Sequence, residues 1–112
     1  MAYIERKHER IPSLNLLNYA CLDHAGNVVT SGMGRTLDVS ENGILLETYC
    51  EIPENTKMSI SIGLKDDVVD IVGKVIYSRQ EQKGMYQAGV EFEENDKVAM
   101  RVLNDYIRDM KG

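Results

Sequence analysis

The strongest signal along this chain is alternation. From Lys57 to Leu64, Met58, Ile60 and Ile62 alternate with Lys57, Ser59 and Ser61, which predicts a strand with one face buried. Val69, Ile71, Gly73, Val75 and Tyr77 share a face in the next strand, and Tyr86, Ala88, Val90 and Phe92 share one in the last. Between these two strands the polar segment Arg79 to Met85 holds Gly84 and reads as a loop. Earlier, Ser13 to Asp23 reads as a strand and Asp23-His24-Ala25-Gly26-Asn27 as a turn, after which Val28 and Val29 resume an extended pattern, so a hairpin is expected.

Near the end the period changes. Val98, Val102, Tyr106 and Met110, with Ala99, Leu103 and Ile107 alongside, recur every three or four residues, which predicts an amphipathic helix. Asn95 or Asp96 can cap its start, and Arg108 and Lys111 near its end suit the helix dipole. About six short antiparallel strands followed by one helix make a mainly β fold, a small barrel with the helix covering an opening or an exposed edge. The expected organisation is a single domain: residues 1–12 as a flexible N-terminal arm ending at Pro12, 13–94 as the β-barrel, and 95–112 as the C-terminal helix.

Composition narrows what such a barrel does. The 112 residues suffice for one core and leave no room for a second domain, and a balance of 43% hydrophobic and 28% charged residues argues against disorder. A net charge of -5 disfavours DNA, RNA or an anionic membrane as partner, so any anion site must be local. The first ten residues are charged where a secretory leader needs an apolar core, and no apolar run approaches the ~20 residues that span a bilayer; a cytoplasmic location without membrane insertion is expected. Cys21 and Cys50 then read as free thiols, and with His8 and His24 they lack the paired close spacings of a zinc site, so no metal is expected. Neither histidine has a sequence-evident catalytic partner, which disfavours an enzyme. An oligonucleotide-binding barrel would need exposed aromatics and a basic groove, whereas Phe92 is the only phenylalanine and tryptophan is absent.

Two local patterns carry candidate chemistry. Arg6-Lys7-His8-Glu9-Arg10 sets two guanidinium groups four residues apart on the arm; each planar fork can grip a phosphate, stack on a purine or donate to guanine O6 and N7. Taken alone, the same run reads equally as a solvated basic terminus. In Asp38-Val39-Ser40-Glu41-Asn42-Gly43, Leu37 and Val39 are expected to face the core, so Thr36, Asp38 and Ser40 point the other way, toward solvent or a ligand. An aspartate there accepts well from the N1 and N2 hydrogens of guanine; by itself the segment reads also as a turn closing a hairpin. Arg35, just ahead of it, is a lesser candidate or simply an exposed strand residue.

Taken together, Arg6-x-x-x-Arg10, Asp38-x-Ser40-x-x-Gly43 and the late Gly89-Val90-Glu91-Phe92 before a terminal helix resemble the PilZ family over nearly the whole chain. The resemblance implies a receptor for the bacterial second messenger cyclic di-GMP, with no cofactor besides that ligand. It implies that Arg6 and Arg10 clamp phosphates and guanine edges, that Asp38 and Ser40 read guanine, that Gly43 shapes the turn, and that Gly89, on the polar face of its strand, leaves room for a base. Family members that take up a stacked pair of ligands often carry a further arginine just before the first; here Glu5 stands there, and its repulsion of phosphate tilts toward one ligand per site. The expected output is an arm that swings onto the barrel and changes the surface seen by an unidentified downstream protein. The alternative is a PilZ-like adaptor that does not bind cyclic di-GMP.

Overall fold

The computed structural model describes residues 11–12, 15–64, 67–93 and 95–111, and the alternating segments form its strands. In chain order these are β1 (Ile11–Pro12), β2 (Leu16–Leu22), β3 (Val28–Val39), β4 (Gly43–Thr48), β5 (Lys57–Leu64), β6 (Asp67–Gln82) and β7 (Met85–Phe92), followed by helix α1 (Lys97–Lys111). Every pairing is antiparallel. The order β3-β2-β5-β6-β7-β4 returns to β3 through a β3–β4 pairing, which closes a barrel of six strands. Short β1 joins β3 beyond the end of β2, with Ile11 opposite Val39 and Pro12 opposite Asp38.

Inward residues fill the barrel. Met58, Ile60 and Ile62 of β5, Ile44 and Leu46 of β4, and Val75 and Val90 of the β6–β7 pair are all fully buried, as the alternation predicts. Leu103 and Ile107 join this cluster from α1, which packs against β6 and β1 and so shields apolar surface on one side of the barrel. No helix among the described residues is long and apolar enough to cross a membrane.

The helix start divides its two candidate caps between different tasks. Asp96 is the cap, its carboxylate accepting from Val98 N at 3.0 Å. Asn95 instead behaves like a piece of strand: its Oδ1 accepts from Val72 N at 2.7 Å and its Nδ2 donates to Val72 O at 2.9 Å. Val72 O also accepts from Glu93 N at 3.0 Å, so Asn95→Ala leaves the carbonyl bonded and strips the partner of the half-buried Val72 N–H, and urea unfolding is expected to register a loss of about 1–3 kcal/mol. An unchanged midpoint would mean that water replaces the amide without cost.

Three expectations are corrected. Arg79 to Met85 is not a loop, because β6 runs on to Gln82 and pairs with β7 through Arg79–Gln87, Gln80–Tyr86 and Gln82–Met85, leaving Lys83-Gly84 as the turn. This end of the hairpin is exposed, so both of its faces are polar and the alternation that marks a half-buried strand is missing. Thr36 does not point outward with Asp38; it is fully buried, opposite Leu46. Tyr77 leaves the face that Val75 holds. The last two share one cause, a β-bulge that inserts an extra residue and reverses the phase of the strand beyond it.

Candidate functional site

The bulge in β3 sets the geometry of the first motif. Thr36 pairs with Leu46 and Asp38 with Leu45, so Leu37 is the extra residue, and beyond it Val39 turns inward while Asp38 faces out, half-buried. Directly opposed residues share a face, which extends the outward row from Asp38 to Leu45, then to Gly89 on β7 and Tyr77 on β6. Asp38 and Gly89 therefore lie two strand spacings apart, about 10 Å measured along the wall. Pro12 opposes Asp38 from the other side. By register Gly89 shares the face of Asp38, though it is itself buried; its neighbours Leu45 and Tyr77 could not be foreseen from sequence, since only the long-range register brings them there.

The turn after Asp38 is held from within. Ser40, expected to face outward with Asp38, is instead fully buried; its N donates to Gly43 O at 2.9 Å, and its hydroxyl lies 2.8 Å from Asn42 Oδ1 and 3.2 Å from Gly43 O. Asn42 O in turn accepts from Phe92 N at 2.9 Å, which fastens the turn to the end of β7. Gly43 opens β4 opposite Glu91. The hydroxyl proton is thus directed to the turn, and Ser40 fixes the loop that presents Asp38.

Arg6 and Arg10 lie outside the described residues. Ile11, which comes directly after Arg10 in sequence, pairs with Val39 at the edge of the same motif. Several arginines elsewhere already face carboxylates: Arg35 Nε lies 2.8 Å from Glu47 Oε1, Arg79 bonds Glu81, and Arg108 lies 3.1 Å from Asp105. The Glu81 carboxylate raises the already high pKa of Arg79, whose guanidinium lies 6.0 Å from the Tyr77 ring centre. Arg35 is therefore an ion-pair partner across β3 and β4.

A concavity of about 480 Å³ runs along β3 around the end of its pairing with β4, lined by Tyr19, Gly32, Met33, Tyr49 and Cys50 among others. Its lining is mostly apolar, and among the described residues Arg35 is its one cation, which makes it poorly suited to a phosphate. Burial pushes the Tyr19 hydroxyl and the Cys21 thiol above their ordinary pKa values, with Cys50 and Cys21 adding to the shift at Tyr19. Cys21 is buried and Cys50 exposed, both as free thiols. Among the described residues, no group of three or more His, Cys, Asp or Glu side chains is arranged to hold a metal ion.

A family model described as the PilZ domain matches residues 4–109. No curated protein matches the chain in sequence. Among solved structures, the fold is similar to the Bacillus subtilis inhibitor of motility MotI/DgrA, with a TM-score of 0.72 and 11% identity over 95% of this chain and 51% of that one. It is similar also to the PilZ domain of YcgR from Escherichia coli with c-di-GMP, at TM-score 0.71 and 13% identity over 96% and 92% of the two chains. The K. pneumonia MrkH–c-di-GMP complex gives 0.71 and 13% over 96% and 52%. The chain thus spans about half the length of MotI/DgrA and of MrkH. At such identities the likeness establishes the fold.

Proposed function

This chain belongs to the PilZ domain family, and from that premise we propose that it is a cytoplasmic receptor for cyclic di-GMP that passes its signal to a partner protein. The observation that supports this reading most is the register of β1. Ile11, directly after Arg10 in sequence, pairs with Val39, and Pro12 pairs with Asp38 on the strand that presents the aspartate, which supports a site shared by the two motifs. The YcgR and MrkH structures, both containing c-di-GMP, support the choice of ligand.

Each residue then has a task that its chemistry suits. Asp38 accepts from N1 and N2 of a guanine, and the missing side chain of Gly89, between Leu45 and Tyr77, leaves room for a base. Ser40 and Gly43 hold the turn that fixes Asp38. Arg6 and Arg10 neutralise the phosphates and reach guanine edges; Arg35 and Arg79 are engaged by Glu47 and Glu81. No cofactor or metal is required, and Glu5 favours one ligand per site. Binding orders the segment ahead of β1 on the barrel wall, and the altered surface is what the partner reads.

Calorimetric titration with cyclic di-GMP tests the reading. A dissociation constant in the micromolar range, equivalent to about 8 kcal/mol, with a stoichiometry near one is expected. Absence of binding at millimolar ligand would rule out the receptor and leave the adaptor.

A further inference from the structure

We propose that Asn15 is a positioning residue through which ligand binding on the barrel wall reaches helix α1. The inference rests on the receptor reading above and names how that site is connected to the rest of the molecule.

Asn15 stands where three elements meet. It precedes β2 and comes three residues after Pro12 of β1, within a chain reach of at most about 11 Å. Its backbone is bonded to the motif strand in both directions: Thr36 N donates to Asn15 O at 2.8 Å, and Asn15 N donates to Thr36 Oγ1 at 2.8 Å. Thr36 is fully buried and lies two residues ahead of Asp38. The side-chain amide reaches two further elements. Nδ2 donates to Gly63 O on β5 at 2.9 Å, while Oδ1 accepts from the Tyr106 hydroxyl of α1 at 3.0 Å and faces the Thr36 hydroxyl at 3.4 Å.

The orientation of that amide is dictated by its partners. A peptide carbonyl can only accept, so the NH₂ must face Gly63 and the oxygen must face the two hydroxyls. One side chain therefore links β5 and α1, and the backbone of the same residue links β3. These contacts are separated by 21, 48 and 91 positions in sequence, so they are products of the fold and not of local geometry. Hydrogen bonds weaken steeply with misalignment, and a small movement of Asn15 with β1 and β3 shifts the Tyr106 bond. Tyr106 sits on the helix between Leu103 and Ile107, the two residues by which α1 is buried in the core. A change at its hydroxyl is thus delivered to the docked face of α1.

Hydrogen exchange on the intact protein, with and without saturating cyclic di-GMP, tests this together with calorimetry. In the wild type, ligand is expected to slow exchange of the α1 amides about tenfold. Tyr106→Phe keeps the ring that packs on the core and removes only the hydroxyl; its affinity should stay within about threefold while the ligand-dependent slowing of α1 falls to twofold or less. Asn15→Asp, which sets a carboxylate oxygen against Gly63 O, should lose the slowing as well, and circular dichroism checks that both variants fold. A Tyr106→Phe protein that keeps the full tenfold response overturns the inference. So does a wild type that binds ligand without any change in α1, and that outcome leaves the receptor intact. A wild type that fails to bind in the calorimeter removes both.

Discussion

Arg10→Ala is expected to weaken cyclic di-GMP binding about a hundredfold or more, and Arg6→Ala by a similar factor. Each guanidinium supplies charge-assisted hydrogen bonds of roughly 1.5–3 kcal/mol net, and about 1.4 kcal/mol corresponds to a factor of ten, so losing one fork reaches a hundredfold. The wall offers little compensation, because Arg35 is held by Glu47 and Arg79 by Glu81, and a chain of net charge -5 otherwise repels a phosphate. Arg10→Lys keeps the charge and loses the fork; a loss of about tenfold is expected, between wild type and alanine. Lys83→Ala, in the turn between β6 and β7, is the control for a general loss of positive charge and should bind as the wild type does. Calorimetry at one fixed salt concentration measures the series. If both arginine-to-alanine variants bound as tightly as wild type, the arm would have no place in the site.

The legibility of the fold depends on what each residue's burial does to the pattern. Met58, Ile60 and Ile62 are fully buried on one side only, and α1 keeps Leu103 and Ile107 inward, so both periods survive in the sequence. Arg79 to Gln82 pair as a strand yet bury nothing, and no pattern of apolar positions could reveal them. The bulges are harder still. Leu37 and Ile76 are ordinary strand residues, and nothing in their identity says that either is extra; the outward Asp38 is readable from Val39 beside it, whereas Thr36, on the far side of the bulge, is not. Ser40 is open to two readings, ligand contact and turn closure, and the hydrogen bonds to Asn42 and Gly43 account for the second. The row from Asp38 to Tyr77 depends on pairings across four strands, which spacing along the chain does not encode.

The same pairings predict a contrast between two strand glycines. Gly73→Ala should lower stability by about 3 kcal/mol or more, at the upper end of what overpacking costs, and the melting temperature by more than about 10 °C. A Cβ on Gly73 would fall well inside contact distance of Val90 Cγ1 and within 2.8 Å of Glu91 O. Val90 is fully buried against Val75 and has nowhere to move, and the Glu91 oxygen is backbone, so relief requires β6 and β7 to separate where Gly73 pairs with Phe92. Gly63→Ala presents the opposite case. That position is exposed, and the nearest atom to an added Cβ is Leu16 O at 4.0 Å, an ordinary contact, while alanine loses less backbone entropy than glycine. A change within about 0.5 kcal/mol of wild type is expected there. Urea and thermal unfolding of the two variants separate a cost due to packing from any general intolerance of side chains at strand glycines. Equal destabilisation of both would mean that the close approach of β6 to β7 at Gly73 is not what sets its cost.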